Sequence, residues 1–367
     1  MAINNYVLLK KVLRDKNYFI ERYENSNGYY PLDIELRLNW ECNAKCVMCG
    51  VADYFSKDEK INKITDQEIR RLLLELKEMG CANITLSGGE PTLRKDLIPI
   101  ITFASQTCGF NVSINTNGFL LSESFLKQII LAGINSITFS LDSPLEEVHD
   151  HIRGLKGSYR KIVDAIDFIN NVSKMNSRRN IFVYVNCVIL KSNVPSLVNF
   201  IEFYEKHPFD HLNFSPASIN TSWDNWTANK EELRPSVDDV KYLKNIIKTL
   251  NEEIEELQIE DPFGDTEEEI TNNLHVIFSN RPTTCFVPML HSVIQCNGDV
   301  IPCCYSPDTF VMGNVKDTSF EEIWNGDSYK QFRSQCHQLK FPMCASCKQY
   351  ELLNTNLNKN IIGGFCK

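Results

Sequence analysis

Residues 41–50 read ECNAKCVMCG, and the fold of the whole chain follows from how they are read. Cys42, Cys46 and Cys49 stand four and then three residues apart. A closed structural zinc site takes four ligands in a tetrahedral array, and no histidine precedes His149 to supply a fourth. A redox pair of the CxxC kind would use Cys46 and Cys49 and leave Cys42 unexplained. A four-iron, four-sulfur cluster held by three thiolates keeps one iron open to an outside ligand. The spacing favours such a cluster.

The rest of the composition narrows the setting. A formal charge of −9 argues against a nucleic-acid backbone as the main partner, because that affinity rests on clustered Lys and Arg. The short basic stretch KMNSRRN at 174–180 reads as a solvated loop. No apolar run approaches the roughly 20 residues of a membrane span, and the N-terminal residues lack the apolar core and cleavage site of a secretory signal. The expectation is a cytoplasmic protein with no membrane contact. Fourteen cysteines in such a setting are seldom disulfides, so their grouping is what informs. Cys81, Cys108 and Cys187 sit singly and read as core residues, whereas the others fall at 42–49 and 285–366.

Around the cysteine loop, β-rich runs alternate with helical patterns. Strands are expected at 33–40, 82–89, 111–118, 136–143, 181–190 and 211–218, and helices at 65–80, 122–133, 158–172 and 194–206. Thr65 before Glu68 and Gly80 mark the two ends of the first helix. Strand and crossover helix repeated six times gives a parallel sheet curved into a partial barrel, with ligands beyond the carboxyl ends of the strands. Cys42, SGGEP at 87–91, NTNG at 115–118 and SLDS at 140–143 all fall at such ends. The expected division is an N-terminal helical extension at 1–32, the barrel core at 33–230, an acidic helical connector at 231–280 and a small cysteine-rich domain at 281–367.

Cys42-x-x-x-Cys46-x-x-Cys49 resembles the signature of the radical S-adenosylmethionine (SAM) superfamily, with Met48 at a position that is often aromatic there. LSGGEP at 86–91 is similar to that superfamily's second motif. On this resemblance the fold is an α/β partial (β/α)6 barrel. Gly88 and Gly89 would let backbone carbonyls approach the SAM amino group, with Glu90 as a further acceptor. The resemblance also assigns Ser140 to the SAM ribose or carboxylate and places Asn117 near the same pocket. HDHIRG at 149–154 resembles a segment of the branch with a cysteine-rich extension, and Arg153 suits a carboxylate because its planar fork pairs bidentately. The adenine contacts are expected at the backbone near Val188.

The second cysteine group resembles the SPASM and twitch extensions, which carry auxiliary iron–sulfur clusters. Cys285 and Cys303 flank the Asn297-Gly298-Asp299 hairpin turn, and Cys344 and Cys347 form a CxxC pair. A full SPASM pattern has two further cysteines after that pair, and KQYELLNTNLNK at 348–359 has none. The expectation is therefore one auxiliary [4Fe–4S] cluster held by Cys285, Cys303, Cys344 and Cys347. Cys336 and Cys366 leave room for a second, Cys304 competes with its neighbour Cys303, and structural zinc is the rival for the group. Cys296 reads either as a buried thiol or as a hydrogen-atom donor.

The resemblance implies reductive cleavage of SAM to a 5′-deoxyadenosyl radical that removes a substrate hydrogen atom, with flavodoxin or ferredoxin as the reducing partner. Two substrate classes follow: a sugar, aminocyclitol or related small molecule, oxidised or epimerised, and a ribosomal peptide, cross-linked or epimerised. The shortened cysteine pattern, and the 41 residues before Cys42 where many peptide maturases carry a leader-binding domain, tip the expectation toward the small molecule. A non-catalytic metal-binding protein is the third reading. Tyr305, Ser215 and Ser218 are the candidates for the residue that deprotonates the intermediate, whereas Asp210 and His211 precede the sixth strand and are expected on the opposite rim.

Overall fold

The computed structural model describes residues 10–49, 63–175, 181–217, 231–257, 259, 261–263, 266–267, 270–271, 285–304, 306, 310–336, 354 and 357–358. In chain order the elements are α1 Lys16–Glu24, β1 Asp33–Arg37, α2 Asp66–Glu78, β2 Asn83–Ser87, α3 Leu97–Thr102, β3 Asn111–Thr116, α4 Glu123–Ala132, β4 Ser136–Ser140, α5 Glu146–Arg153 and α6 Ser158–Met175. They continue with β5 Phe182–Ile189, α7 Phe200–Lys206, β6 His211–Pro216, α8 Val237–Glu253, α9 Val287–Leu290, β7 His291–Ile294, β8 Asp299–Ile301, β9 Gly313–Asn314, α10 Phe320–Asn325 and α11 Asp327–Cys336. Two compact units divide the chain, one of Met1–Leu36, Asn62–Ile84 and Val276–Lys367, the other of Arg37–Ile61 and Thr85–His275.

In the second unit β3, β4, β5 and β6 are parallel neighbours in that order. The strand order is linear and the sheet stays open, the partial-barrel architecture expected. A parallel sheet covered on both faces would read as continuous apolar runs, but these strands alternate. Along β5, Val183, Val185, Cys187 and Ile189 are buried, while Tyr184, Asn186 and Val188 are half-buried. β4 repeats the pattern with Thr138 and Ser140, and β6 with His211, Asn213 and Ser215. One face is thus apolar core, and the other is lined by hydroxyls and amides.

The strands end sooner than the sequence suggests, because the polar residues after them form turns. Gly88, at φ +133°, has left the extended region just beyond β2. The helix expected at 194–206 begins as a 3₁₀ turn over Val194–Asn199, where Pro195 cannot donate, and becomes α7 at Phe200. The Thr65 and Glu68 capping box at the start of α2 forms as read.

In the first unit β1 pairs parallel with β7, and β8 pairs antiparallel with β7 and β9. Gly298, at φ +95°, turns the β7–β8 hairpin. The guanidinium of Arg333 lies 4.4 Å from the ring centres of both Trp324 and Tyr329. Its Nε donates to the Pro288 carbonyl at 2.9 Å and its Nη1 to that of Trp324 at 2.8 Å. Trp324 Nε1 donates to the Tyr29 carbonyl at 2.7 Å. Burial lowers the Arg333 pKa to about 9.

Gly28 lies against this group: a Cβ there would stand 2.2 Å from Trp324 Nε1 and 2.5 Å from Arg333 Nη2. Neither ring nor guanidinium has room to retreat, since both are fully buried. Gly28→Ala is expected to cost about 1–3 kcal/mol through overpacking, read as a lower midpoint of urea unfolding with an unchanged slope.

Candidate functional site

The cysteine loop leaves the sheet beside the glycines. Gly89 N–H donates to the Asn39 carbonyl and Glu90 N–H to that of Glu41, each at 2.8 Å, continuing the contact of Leu38 N–H with the Ser87 carbonyl. A Cβ on Gly88 would meet Asn39 O at 2.3 Å, and one on Gly89 would meet Glu41 O at 2.2 Å. The glycines are thus required for backbone to lie on backbone at the entry to the loop. That close approach is a packing demand that the motif does not announce.

Glu90 is turned inward. Its Oε1 accepts from Thr92 N–H, Thr92 Oγ1 and Thr116 Oγ1, and its Oε2 from Asn117 N–H at 2.8 Å. The sequence reading made Glu90 an acceptor for SAM, whereas in the structure its carboxylate binds the end of β3 to the glycine turn. Burial raises its pKa, and the four hydrogen bonds work against that rise.

A second support comes from α5. Lys45 N–H and Val47 N–H donate to the carbonyls of Arg153 and Ile152 at 3.0 and 2.9 Å. Gly154 caps α5 in the left-handed region at φ +56° and lies so close that a Cβ would stand 2.4 Å from Lys45 O. The last turn of α5 therefore fixes the loop at its middle.

Nitrogen donors approach two of the three sulfurs. Ala44 N–H lies 3.4 Å from Cys42 Sγ, Asn117 Nδ2 4.0 Å from the same sulfur, and Arg153 Nη1 3.7 Å from Cys46 Sγ. Asn117 Nδ2 also donates to Asn43 Oδ1 at 2.7 Å. Among the described residues the buried Asn43 Nδ2 has no partner. Thiolates ligating iron are stabilised by such donors, so this donor set fits a cluster. Among the described residues no three Cys, His, Asp or Glu side chains converge closely enough to hold a metal ion. Cys42 and Cys46 are half-buried and Cys49 is exposed. Burial pushes the Cys42 thiol up to about 11, a shift that bound iron would reverse.

Arg153 is held by Asp142, two residues past β4. Nη2 donates to Asp142 Oδ1 at 2.9 Å, and Nε lies 2.6 Å from Oδ2, an ion-pair contact outside hydrogen-bond geometry. Burial disfavours the charge on Arg153, but Asp142 and Cys46 outweigh it and hold the pKa above its ordinary value. Asp142 Oδ1 also accepts from Val188 N–H at 2.9 Å, and the Val188 carbonyl accepts from Asn193 Nδ2 at 2.8 Å. The backbone expected to meet adenine at Val188 therefore already has partners on both polar groups. Asp142 N–H donates to His149 Nδ1 at 3.1 Å, which fixes the neutral tautomer with Nε2–H on Ser158 Oγ at 3.2 Å.

Sequence reasoning missed Asp142, His149 and Asn193 as members of this site. Asp142 was visible only as part of a polar strand end, and Asn193 gave no signal. Ser140 is half-buried on the polar face, opposite Asn186. Met48 is half-buried in the loop's final turn.

In the second cysteine group, Cys285 and the buried Cys336 pack together with Phe332, Phe310 and Met312. Asn354 Nδ2 lies 3.7 Å from Cys285 Sγ. Cys303 and Cys304 are half-buried, and Cys296 is fully buried, as expected of a packed thiol. Cys344, Cys347, Cys366, Tyr305 and Ser218 lie outside the described residues. Among those described, no helix is long and apolar enough to cross a membrane.

With this geometry in place, comparison with known proteins identifies the class. Residues 41–203 match the radical SAM superfamily model, and residues 285–348 match SPASM, an iron–sulfur cluster-binding domain. Residues 41–203 therefore form a radical SAM domain and residues 285–348 a SPASM domain. Its cofactors are accordingly [4Fe–4S] clusters and SAM.

Among curated relatives, the PqqA peptide cyclase of Bradyrhizobium diazoefficiens is 25% identical over 61% of this chain and 56% of its own length. The Fe-coproporphyrin III synthase of Methanosarcina barkeri is 28% identical over 86% and 80%. The chain spans about half or less of the length of the first few relatives it matches. Among solved structures, SuiB of Streptococcus suis bound to S-adenosylmethionine superposes with a TM-score of 0.64 at 16% identity, covering 90% of this chain and 75% of that one. That likeness is one of fold.

Two outcomes test this account. Asp142→Asn leaves Arg153 buried without its counter-charge, and stability is expected to fall by about 3–5 kcal/mol in denaturant titrations, with less iron retained on reconstitution. Burial holds His149 near a pKa of about 3, whereas the unfolded chain protonates near 6.5. The unfolded state then binds the extra proton, so stability is full above pH 6.5 and falls as pH drops toward 3. Between pH 7 and 5 the loss is on the order of 2 kcal/mol, and thermal melts of His149→Gln should show a flatter slope.

Proposed function

We propose that this protein modifies a peptide by radical SAM chemistry, forming a cross-link within it or inverting one of its residues. The observation that carries the radical chemistry is the loop of three cysteines, two of which, Cys42 and Cys46, have nitrogen donors facing their sulfurs. When bound, the cluster and SAM supply a 5′-deoxyadenosyl radical able to take hydrogen from an unactivated C–H bond. In this reading Arg153 and Asn117 orient and stabilise the thiolates, Ser140 and Arg153 contact SAM, and Gly88, Gly89 and Glu90 hold the loop entry. Met48 and the Val188 backbone border the cofactor. The auxiliary ligands are Cys285, Cys303, Cys344 and Cys347, and flavodoxin or ferredoxin supplies the electron.

Three things support a peptide over the sugar or aminocyclitol first expected. The SPASM match across 285–348 weakens the argument from a shortened cysteine pattern. Relatives named PqqA peptide cyclase recur, one aligned over 88% of this chain. The polar sheet face also offers neutral amides and hydroxyls, the partners a peptide backbone needs. A porphyrin, suggested by the Fe-coproporphyrin III synthase relative, carries carboxylates that call for guanidinium or ammonium partners. The half-buried face of β3 to β6 presents Ser113, Thr138, Ser140, Tyr184, Asn186, His211, Asn213 and Ser215 instead, and burial lowers the His211 pKa to about 4, leaving that ring neutral.

After anaerobic reconstitution with iron and sulfide, SAM and dithionite should yield 5′-deoxyadenosine. A colourless zinc protein that leaves SAM intact would establish the non-catalytic reading. Cys42→Ala should abolish the cleavage, whereas Cys344→Ala should keep part of it. Equal loss in two folded variants would contradict separate roles for the two cysteine groups.

A further inference from the structure

The polar face of the sheet carries one feature that the cofactor does not account for. Asn213 Nδ2 on β6 donates to Asn186 Oδ1 on β5 at 2.6 Å and to Ser215 Oγ at 2.8 Å. Ser215 Oγ in turn donates to Asn186 Oδ1 at 3.0 Å. The parallel register sets Ser140 opposite Asn186 and Asn186 opposite Asn213. A row of hydroxyl, amide and amide thus crosses three strands at the level of Ser140.

A primary amide has one carbonyl and two N–H donors. The contact between the two side chains uses the Asn186 carbonyl and the Asn213 amino group. It leaves Asn186 Nδ2 and Asn213 Oδ1 without a partner among the described residues, on side chains that are only half-buried. Flipping both amides exchanges their roles and still leaves one donor beside one acceptor. The pair adds nothing to strand pairing, because β5 and β6 are already in register from Tyr184 to Ile189. An apolar pair of the same shape would serve a structural purpose as well.

A donor beside an acceptor is what the edge of a β-strand offers, since the N–H and C=O of one extended residue point the same way. We propose that Asn186 and Asn213 bind the backbone N–H and C=O of one extended residue of a peptide substrate and so fix which residue lies beside Ser140. This inference rests on the peptide reading above and gives it a contact and a register. The Asn213 carbonyl accepts from the peptide N–H, and the Asn186 amino group donates to the peptide carbonyl. Ser215 Oγ gives the Asn186 carbonyl a second donor beside Asn213 and so holds that amide in place.

The test uses the reconstituted full-length protein with SAM and a library of N-acetylated, C-amidated hexapeptides, with retained peptides identified by mass spectrometry. The wild type should retain a subset, and Asn186→Leu and Asn213→Leu should each weaken that retention at least tenfold, with iron content and far-UV circular dichroism reporting the fold. Should either variant misfold, N-methylation along a retained peptide replaces it: binding to the wild type should fall at one residue and persist when its neighbours are methylated. The proposal is overturned if the wild type retains no peptide, if retention survives both substitutions, or if no single methylated position matters. It is equally overturned if myo-inositol or a hexose, run in parallel, binds in an Asn186-dependent way and peptides do not. Deoxyadenosine formation by the wild type, measured separately, shows whether the underlying radical chemistry stands.

Discussion

The buried pair of Arg153 and Asp142 is the contact on which the second unit's chemistry depends. A guanidinium withdrawn from water is costly unless a carboxylate answers it and its remaining donors are used. Here the carboxylate comes from just beyond β4 and a further donor reaches Cys46 Sγ. The same Asp142 accepts from Val188 N–H and meets His149 through its own N–H. One ionic contact therefore ties β4, α5 and β5 to the loop that carries the cysteines. The loop cannot hold its shape if that contact relaxes, because its middle is hydrogen-bonded to the last turn of α5.

The glycine motif and Glu90 serve the same end from the other side. Backbone lies on backbone where Gly88 and Gly89 meet residues 39–41, and only hydrogen in place of a side chain allows it. Glu90 then gathers Thr92, Thr116 and Asn117, which brings Asn117 Nδ2 toward Cys42. Positions that a motif presents as cofactor contacts thus also form the frame. A frame of this kind suits a thiolate-held cluster, whose behaviour is set by hydrogen bonds to sulfur and by exclusion of water.

The alternation along β4, β5 and β6 separates stability from recognition. Residues at every second position are buried in apolar core, and most of those between them, Thr138, Ser140, Tyr184, Asn186, Asn213 and Ser215, are amides and hydroxyls in partial contact with solvent. Burial of the first set stabilises the sheet, which frees the second set to be chosen for binding. The other unit meets its own demand differently. Arg333 lies buried against two touching aromatic rings, with carbonyls as its hydrogen-bond acceptors, and Gly28 supplies the space.

The sequence by itself determined the elements and the class of chemistry. Three cysteines at fixed spacing, a glycine pair after a strand and the repeated strand-and-helix rhythm are local signals, and each survives in the structure because spacing and period act over a few residues. The hairpin at Asn297-Gly298-Asp299 and the Thr65 cap were legible for the same reason. The tertiary structure alone decided the partners. Asp142 reads as one more polar residue at a strand end until folding sets it against Arg153. Nothing local distinguishes Asn186 and Asn213 until register brings them side by side. Pairing across strands depends on distance in space, which a linear pattern does not encode.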